Sequence, residues 1–561
     1  MENRNDADRR EALSRKMRQT GRYGGGRYGS GMAARTGSRN IRLFGMVFVL
    51  LLCAGLAVWS YAGHKNPFYI LVGDQSAKDP NENEAGETPP EGLQNKLNGT
   101  TRQEGQEQKP YEVPEMVRVL LMSSNYSSIY HDTLVLKGTT GDVAITAAEL
   151  REKFDETKEK LLQEGMILEN SGECYMLAPN KNDQGENEQE TAGEQLCVLS
   201  MTRACGSPSY RGCLYIYLRN EQFVLVNELT LEEYLYGVLP SEMPASYHNE
   251  ALKAQAVCAR TYACAVMENP RYPEYNAQLD DSTSCQVYGN LAEHESTTSA
   301  VEETKGEILL FEGRPVSTYY YSTSGGIGSS IGVWQGFTIG EYPYLSNRSQ
   351  NAVHEELQLS SDTEFAAYLA AGHDDIESGY PWYRWSCQVS GIDADAVYEK
   401  LKERYAVKQE GVELVGTEEN ESKKEDGAVR ADMLPHPGRI RMLSIEKRNP
   451  SGCAVCLLVE GEQCSYRVYG EYNVRYLLCD GNTTVTRQDG STTVMSTILP
   501  SAYVILTPIL DKEELLGYSI IGGGYGHGVG MSQNGADALA ASGSDYRDIL
   551  AYYYIGTELK K

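Results

Sequence analysis

The chain of 561 residues has no surplus of positive charge. Its 51 Lys and Arg stand against 78 Asp and Glu, a net −27, which argues against nucleic acid as the main partner, since phosphates call for a basic face. It also lacks a GxGxxG pattern and a Walker lysine, so the glycines at 524, 526, 528 and 530 do not form a phosphate loop. No internal repeat of solenoid period is visible, which excludes stacked-repeat architectures. The one CxxC pair, Cys453 and Cys456, has no second pair at a suitable distance. It lies in a strand-like run, SGCAVCLLVEG, so separate disulfides or free buried thiols are expected there rather than zinc. Large apolar residues are nearly missing from residues 75 to 109, which cannot offset the entropy of folding; residues 63 to 110 are expected to be a disordered tether. The polar stretch 408 to 431 is expected to be a flexible insertion between two lobes.

Charge is unevenly distributed. Residues 1 to 42 hold 11 Lys and Arg against 4 Asp and Glu and are followed by a run of 20 uncharged residues, Leu43 to Ala62. That run is long enough to cross the ~30 Å of a bilayer core as a helix. The basic flank keeps the N-terminus in the cytoplasm and places the rest outside, anchored in the cell membrane by a single pass. The alternative is a cleaved signal peptide, with Ser60-Tyr61-Ala62 imitating a cleavage site; both export the remainder. Twelve of the 13 cysteines lie beyond the run, where disulfides are permitted, and their pairing is not readable from sequence.

Strand-like runs at Met116–Met122, CLYIYL and FVLVNEL predict a mainly β module over 111 to 220. A core over 221 to 407 and a C-terminal lobe over 432 to 561 follow. Strands and helices come in blocks, so the class is α+β, with β-rich lobes around a helical segment that carries the site. In that segment, Leu229 to Pro270, Thr230 and Glu233 make a capping box. A short helix should begin at Leu231 and stop at Pro240. A second should begin after Ser246, show Leu252, Ala256, Ala259, Ala263 and Val266 on one face, and end at Asn269-Pro270. Between them, prolines 240 and 244 stiffen the turn around Glu242. Desolvation beside Met243 would raise the pKa of this carboxyl and suit it to general-acid work. By spacing alone a Glu in such a turn is more often a solvated surface residue. Of the rival acids, Glu232 should face solvent and Glu233 caps the helix.

The strings LEEYLYGVLPSEMP and EALKAQAVCARTYA resemble the SpoIID/LytB family, as do STYYYSTSGGIGSSIGVWQG at 317 to 336 and GGGYGHGVGMSQNGADALAASG from Gly522. The resemblance covers most of residues 220 to 345 and 430 to 561. It implies a peptidoglycan lytic transglycosylase, with Glu242 protonating the bond between N-acetylmuramic acid and N-acetylglucosamine and then helping the muramic 6-hydroxyl to close a 1,6-anhydro ring. It also implies glycan strands, denuded of peptides, as substrate and a place in sporulation and engulfment. A peptidoglycan amidase and a membrane scaffold protein would be partners. The LytB branch implies instead a wall-binding amidase enhancer without catalysis. A water-using glycosidase pairing Glu242 with Asp281 is a third possibility.

Further candidates for binding substrate surround this acid. Arg260 in the Ala-rich helix either contacts substrate or bonds backbone carbonyls, away from Glu242 because a close pairing would lower the pKa of the acid. The turn Ser322-Thr323-Ser324-Gly325 offers hydroxyls and amides to acetamido sugars. Tyr321 stands where the family often has His. Trp334 and the tyrosines at 319 to 321 are suited to stacking on sugar rings or to packing in a core. His527 and Gln533 would orient substrate or steady Glu242. Some family members bind zinc just before CQVY; this chain keeps Cys285 but has Asn276 and Asp280 in place of His and Cys. No metal or other cofactor is expected.

Overall fold

The computed structural model describes residues 110–180, 195–350, 357–371, 373–415, 434–512 and 514–561. The basic tail, the apolar run, the tether and part of the 408–431 stretch lie outside them. Among the described residues no helix is long and apolar enough to cross a membrane.

The class is α+β, with several sheets around a helical centre. Strands β1 (Met116–Leu121), β2 (Met166–Asn170), β3 (Tyr175–Pro179), β4 (Cys213–Arg219), β5 (Gln222–Thr230) and β6 (Leu279–Asp280) form one sheet in the order β6-β1-β5-β4-β3-β2. β1 and β5 pair antiparallel with Val117 opposite Leu229, and β6 joins β1 in parallel. The boundary expected at 220/221 therefore falls in the β4–β5 hairpin, and the N-terminal module and the core share a sheet. The module also holds two helices, Ala147–Glu152 and Phe154–Gln163, the first opened by a Thr146/Glu149 capping box. The mainly β reading did not include that box.

Thr230 ends β5 and caps α1 (Leu231–Glu242), with its side chain and that of Glu233 exchanging the two expected hydrogen bonds. α1 does not stop at Pro240 but runs through it for two more residues. A proline so close to a helix end deletes one backbone hydrogen bond. The last turn is held in other ways: Ser241 Oγ donates to the Gly237 carbonyl at 2.7 Å, and the Met243 amide donates to Leu239 at 2.9 Å.

α2 (Asn249–Met267) is buried on every side from Ala251 to Val266 except at Lys253, so the single apolar face expected of it was too narrow. Small residues let α1, helix Glu295–Glu303 and the two C-terminal helices all pack against α2, as a helix apolar all round requires. The sequence runs ADALAASG and DYRDILAYYY read as short helices, and the C-terminal pair, α3 (Gln533–Ala541) and Tyr546–Tyr553, covers most of each run.

A five-stranded sheet (Thr492–Met495, Thr483–Arg487, Trp385–Ser390, Glu514–Gly522, Val504–Asp511) and a four-stranded one complete the fold. The four-stranded sheet includes Val412–Val415, paired with Ser465–Tyr469, so the expected flexible stretch begins with a structured strand. One hydrophobic core runs from Val117 to Tyr554 and joins what sequence divided into lobes. None of the twelve cysteines beyond the apolar run is in a disulfide, and Cys453 and Cys456 are buried.

Candidate active site

Glu242 is the last residue of α1, and the end of that helix aims it at the loop after β6. Its Oε1 accepts the Val287 amide at 2.6 Å, and the Tyr320 hydroxyl donates to the same carboxyl group. Protein atoms crowd the carboxyl, yet the residue keeps some solvent-accessible surface. It is enclosed without being sealed, as a group that meets a ligand must be. Burial pushes its pKa from 4.5 to about 7 against the two hydrogen bonds, which favour the carboxylate. Among the described residues no Lys, Arg or His pairs with it.

Tyr320 was named from sequence only together with its neighbours, as a ring to stack on sugar or pack in the core, and Gln286 was not named at all. Strand β7 (Tyr320–Tyr321) pairs in parallel with β8 (Met531–Ser532), setting Tyr320 against Met531. The Gln286 amide donates to the Tyr320 hydroxyl at 3.1 Å, and its carbonyl accepts from Tyr234 at 3.3 Å. A directed row, Gln286 to Tyr320 to Glu242, thus fixes the tyrosine proton on the carboxyl. Tyr320→Phe removes a donor that favours the carboxylate, so the carboxyl holds its proton to higher pH. The alkaline limb of a pH–rate profile should move up by about one pH unit. The only sequence signal for Tyr320 was its place in a tyrosine run.

Directly after β8, Gln533 opens α3 and donates to the Glu242 backbone carbonyl at 3.0 Å. With Tyr320 it is a sequence candidate found in contact with Glu242. Arg260 is elsewhere and fully buried. Its guanidinium binds both oxygens of Glu232, the shortest contact being 2.7 Å, along with the carbonyls of Val301 and Glu307. With no exposed surface it has nothing to offer a substrate, and Glu232, expected in solvent, is its partner. Arg260→Leu should strip that carboxylate of its counterion and cost about 3–5 kcal/mol of stability in urea unfolding.

The turn at 322–325 is also occupied by the fold. Ser324 is buried, its amide donates to Glu377 at 2.8 Å, and its hydroxyl accepts from Gly326. Gly325 is there because a Cβ would lie 2.9 Å from the Gly523 carbonyl carbon, where two backbones cross. Of the four residues of the turn only Ser322 keeps partial exposure. Trp334 is 3% exposed, bonded to Glu471 and packed on Tyr319, so it is a core residue and not a sugar platform. His527 lies in the glycine loop, which takes left-handed φ at 524, 526, 528 and 530. Its ring lies against Trp334 and Tyr321, and its Nδ1 accepts the Val529 amide.

Two other carboxyls are unavailable to solvent. Asp281 is fully buried in a 2.7 Å ion pair with Arg203 and also accepts the Met122 amide, so it is badly placed to activate a water. Glu377 is fully buried behind the Ser324 turn, accepting from Ser324, Ser532 and Gln350. In the segment where zinc was weighed, Cys285 and Asp280 meet across Arg271, whose guanidinium bonds the sulfur at 3.5 Å, while Asn276 turns away in a left-handed bend. Among the described residues no three His, Cys, Asp or Glu gather in a metal-holding group. An open depression of about 480 Å³ lined by Glu293, Glu295 and Glu302 lies on the flank of helix Glu295–Glu303 and does not include Glu242.

Residues 219–311 match the family model SpoIID, stage II sporulation protein. The amidase enhancer of Bacillus subtilis (strain 168) is 29% identical over 329 residues, 58% of this chain and 40% of its own length. The chain therefore spans well under half of that relative. Stage II sporulation protein D of the same organism is 24% identical over 350 residues, 60% of this chain and 76% of its own length. An uncharacterized protein of Brachyspira hyodysenteriae is 26% identical over 352 residues, 62% and 72% of the two lengths.

Proposed function

We propose that this chain, a SpoIID-family member by its residues 219–311, is a peptidoglycan lytic transglycosylase with Glu242 as its single acid and base. The observation that carries the reading is the Glu242 carboxyl itself: enclosed, with no cation beside it among the described residues, and held near the pKa at which it can both give and take a proton. Protonated, it delivers its hydrogen to the oxygen between N-acetylmuramic acid and N-acetylglucosamine as that bond breaks. As carboxylate it then accepts the proton of the muramic 6-hydroxyl, whose oxygen bonds to C1 and closes the anhydro ring. The nucleophile belongs to the substrate, so no second carboxylate has to place a water. The ion pairing of Asp281 and Glu232 agrees with that economy. The substrate is glycan stripped of peptides, reached from the outer face of the cell membrane by a single-pass anchor at Leu43–Ala62. Sporulation and engulfment, alongside an amidase and a membrane scaffold, are its setting.

The name of one relative, amidase enhancer, favours a second reading in which the chain binds wall and stimulates an amidase without cutting glycan. Incubating the full chain with denuded strands and analysing the sugars separates the two. Anhydro-muramic ends are expected. Reducing ends would point to water as nucleophile. No products, with an amidase stimulated equally by wild type and Glu242→Gln, would establish the helper.

A further inference from the structure

Two hydrogen bonds reach Glu242 from one small unit of the fold. Tyr320 donates to its carboxyl from β7, and Gln533 donates to its backbone carbonyl from the first turn of α3. β7 pairs in parallel with β8, and α3 follows β8 directly, so the two donors move together. The pairing is short, setting only Tyr320 against Met531 and Tyr321 against Ser532. Two rungs offset little of the entropy lost in fixing both chains, so the register needs support from outside the ladder.

The buried carboxyl of Glu377 lies where that unit ends. Its Oε2 accepts the Ser532 hydroxyl at 2.9 Å, from the last residue of β8, and the Ser324 amide at 2.8 Å, from the turn that follows β7. Its Oε1 accepts the Gln350 side-chain amide, and the Gln350 backbone amide donates to Gly326 of the same turn at 2.9 Å. Ser532 also caps α3, its hydroxyl oxygen accepting the Gly535 amide at 3.3 Å. A Cβ on Gly535 would lie 2.6 Å from Glu377 Oε1, so the first turn of α3 rests directly on the carboxyl. The titratable groups facing Glu377 are Asp375, Tyr321, Tyr553, Tyr247 and Tyr380, none of which brings positive charge. Burying a carboxyl without a cation is costly. What the fold obtains for that cost is a fixed place for the ends of β7 and β8.

We propose that Glu377 is a positioning residue of the Glu242 site: it clamps the ends of β7 and β8 and so holds the Tyr320 hydroxyl on the Glu242 carboxyl. Its bearing on cleavage rests on the reading of Glu242 as the glycan-cleaving acid, and the test keeps the two apart by observing that carboxyl directly. The titration midpoint of Glu242 is followed by NMR of its carboxyl carbon in the full chain, with Glu242→Gln identifying the signal. Glu377→Leu fills the space without an acceptor, and Ser532→Ala removes the bond to β8 alone. Either change should release Tyr320 and raise the midpoint by about one pH unit, as far as Tyr320→Phe does. Glu377→Gln keeps a carbonyl oxygen for Ser532 and Ser324 and should leave the midpoint where it is. In a Tyr320→Phe background Glu377→Leu should add nothing, because no hydroxyl remains to be placed. A folded Leu or Ala variant that titrates like wild type overturns the clamp, with Ser532→Ala deciding if Glu377→Leu does not fold. A further shift of similar size in the Tyr320→Phe background overturns it too. Undiminished cleavage by Glu242→Gln sinks the catalytic reading instead, and the clamp is still judged by the titration.

Discussion

Glu242→Gln should lower cleavage of glycan strands by at least about a thousandfold, in line with what a positioned general acid and base contributes. The substitution is nearly isosteric. Its amide oxygen can still accept from the Val287 N–H, so a loss of activity will not come from a loss of fold. Wild-type activity should fall on the alkaline side of pH 7 as the carboxyl loses the hydrogen it must donate; residual activity in the variant should show no such limb. Stability moves the other way. The folded pKa is raised to about 7 from 4.5, so above pH 4.5 the unfolded chain holds fewer protons than the folded one, and rising pH favours unfolding until about pH 7. Gln carries no such penalty, and the variant should be more stable at pH 8 by about 1–3 kcal/mol in urea. A dead variant that also unfolds more easily would mean that Glu242 serves the fold.

How much of this was legible in the sequence depends on whether a feature is local. The Thr230/Glu233 cap, the start of α1 and the two C-terminal helices rest on contacts within a few residues, and pattern alone placed them. Glu242 was readable as a candidate less from its flanking prolines than from the resemblance of the string around it, but its enclosure involves residues some 45 and 80 positions away, Val287 and Tyr320. Nothing in the string TYYYS marks the middle tyrosine as the one that turns to the acid; the β7–β8 pairing decides that. Arg260 and Trp334 have the chemistry of substrate-binding residues, and only the tertiary packing shows that Glu232 and Glu471 already occupy them. Pro240 was read as a stop because the rule applies to helix interiors, and its cost shrinks in the last turn.

The second large effect belongs to Glu377, a residue no motif points to. Its carboxyl is fully buried, and desolvation pushes its pKa from 4.5 to about 8 despite the donors Gln350, Ser532 and Ser324. Asp375, itself buried, adds to the rise, and Tyr321 and Tyr553 stand nearby and offer no positive charge. At neutral pH the group is therefore an acid with a hydrogen to donate, and the otherwise unbonded Gln350 Oε1 is at hand to receive it once that amide is turned. The sign follows from proton counts. Below pH 4.5 both states are protonated and nothing is lost. From there to about pH 8 the unfolded chain ionises first and stability falls. Glu377→Gln copies the neutral form, so its advantage over wild type should be absent at pH 4 and grow to about 3–5 kcal/mol by pH 9. Urea unfolding of both proteins at pH 4, 6.5 and 9 measures it. A variant weaker than wild type by the same amount at every pH would mean that Glu377 is ionised in the fold, with its charge satisfied by its three donors.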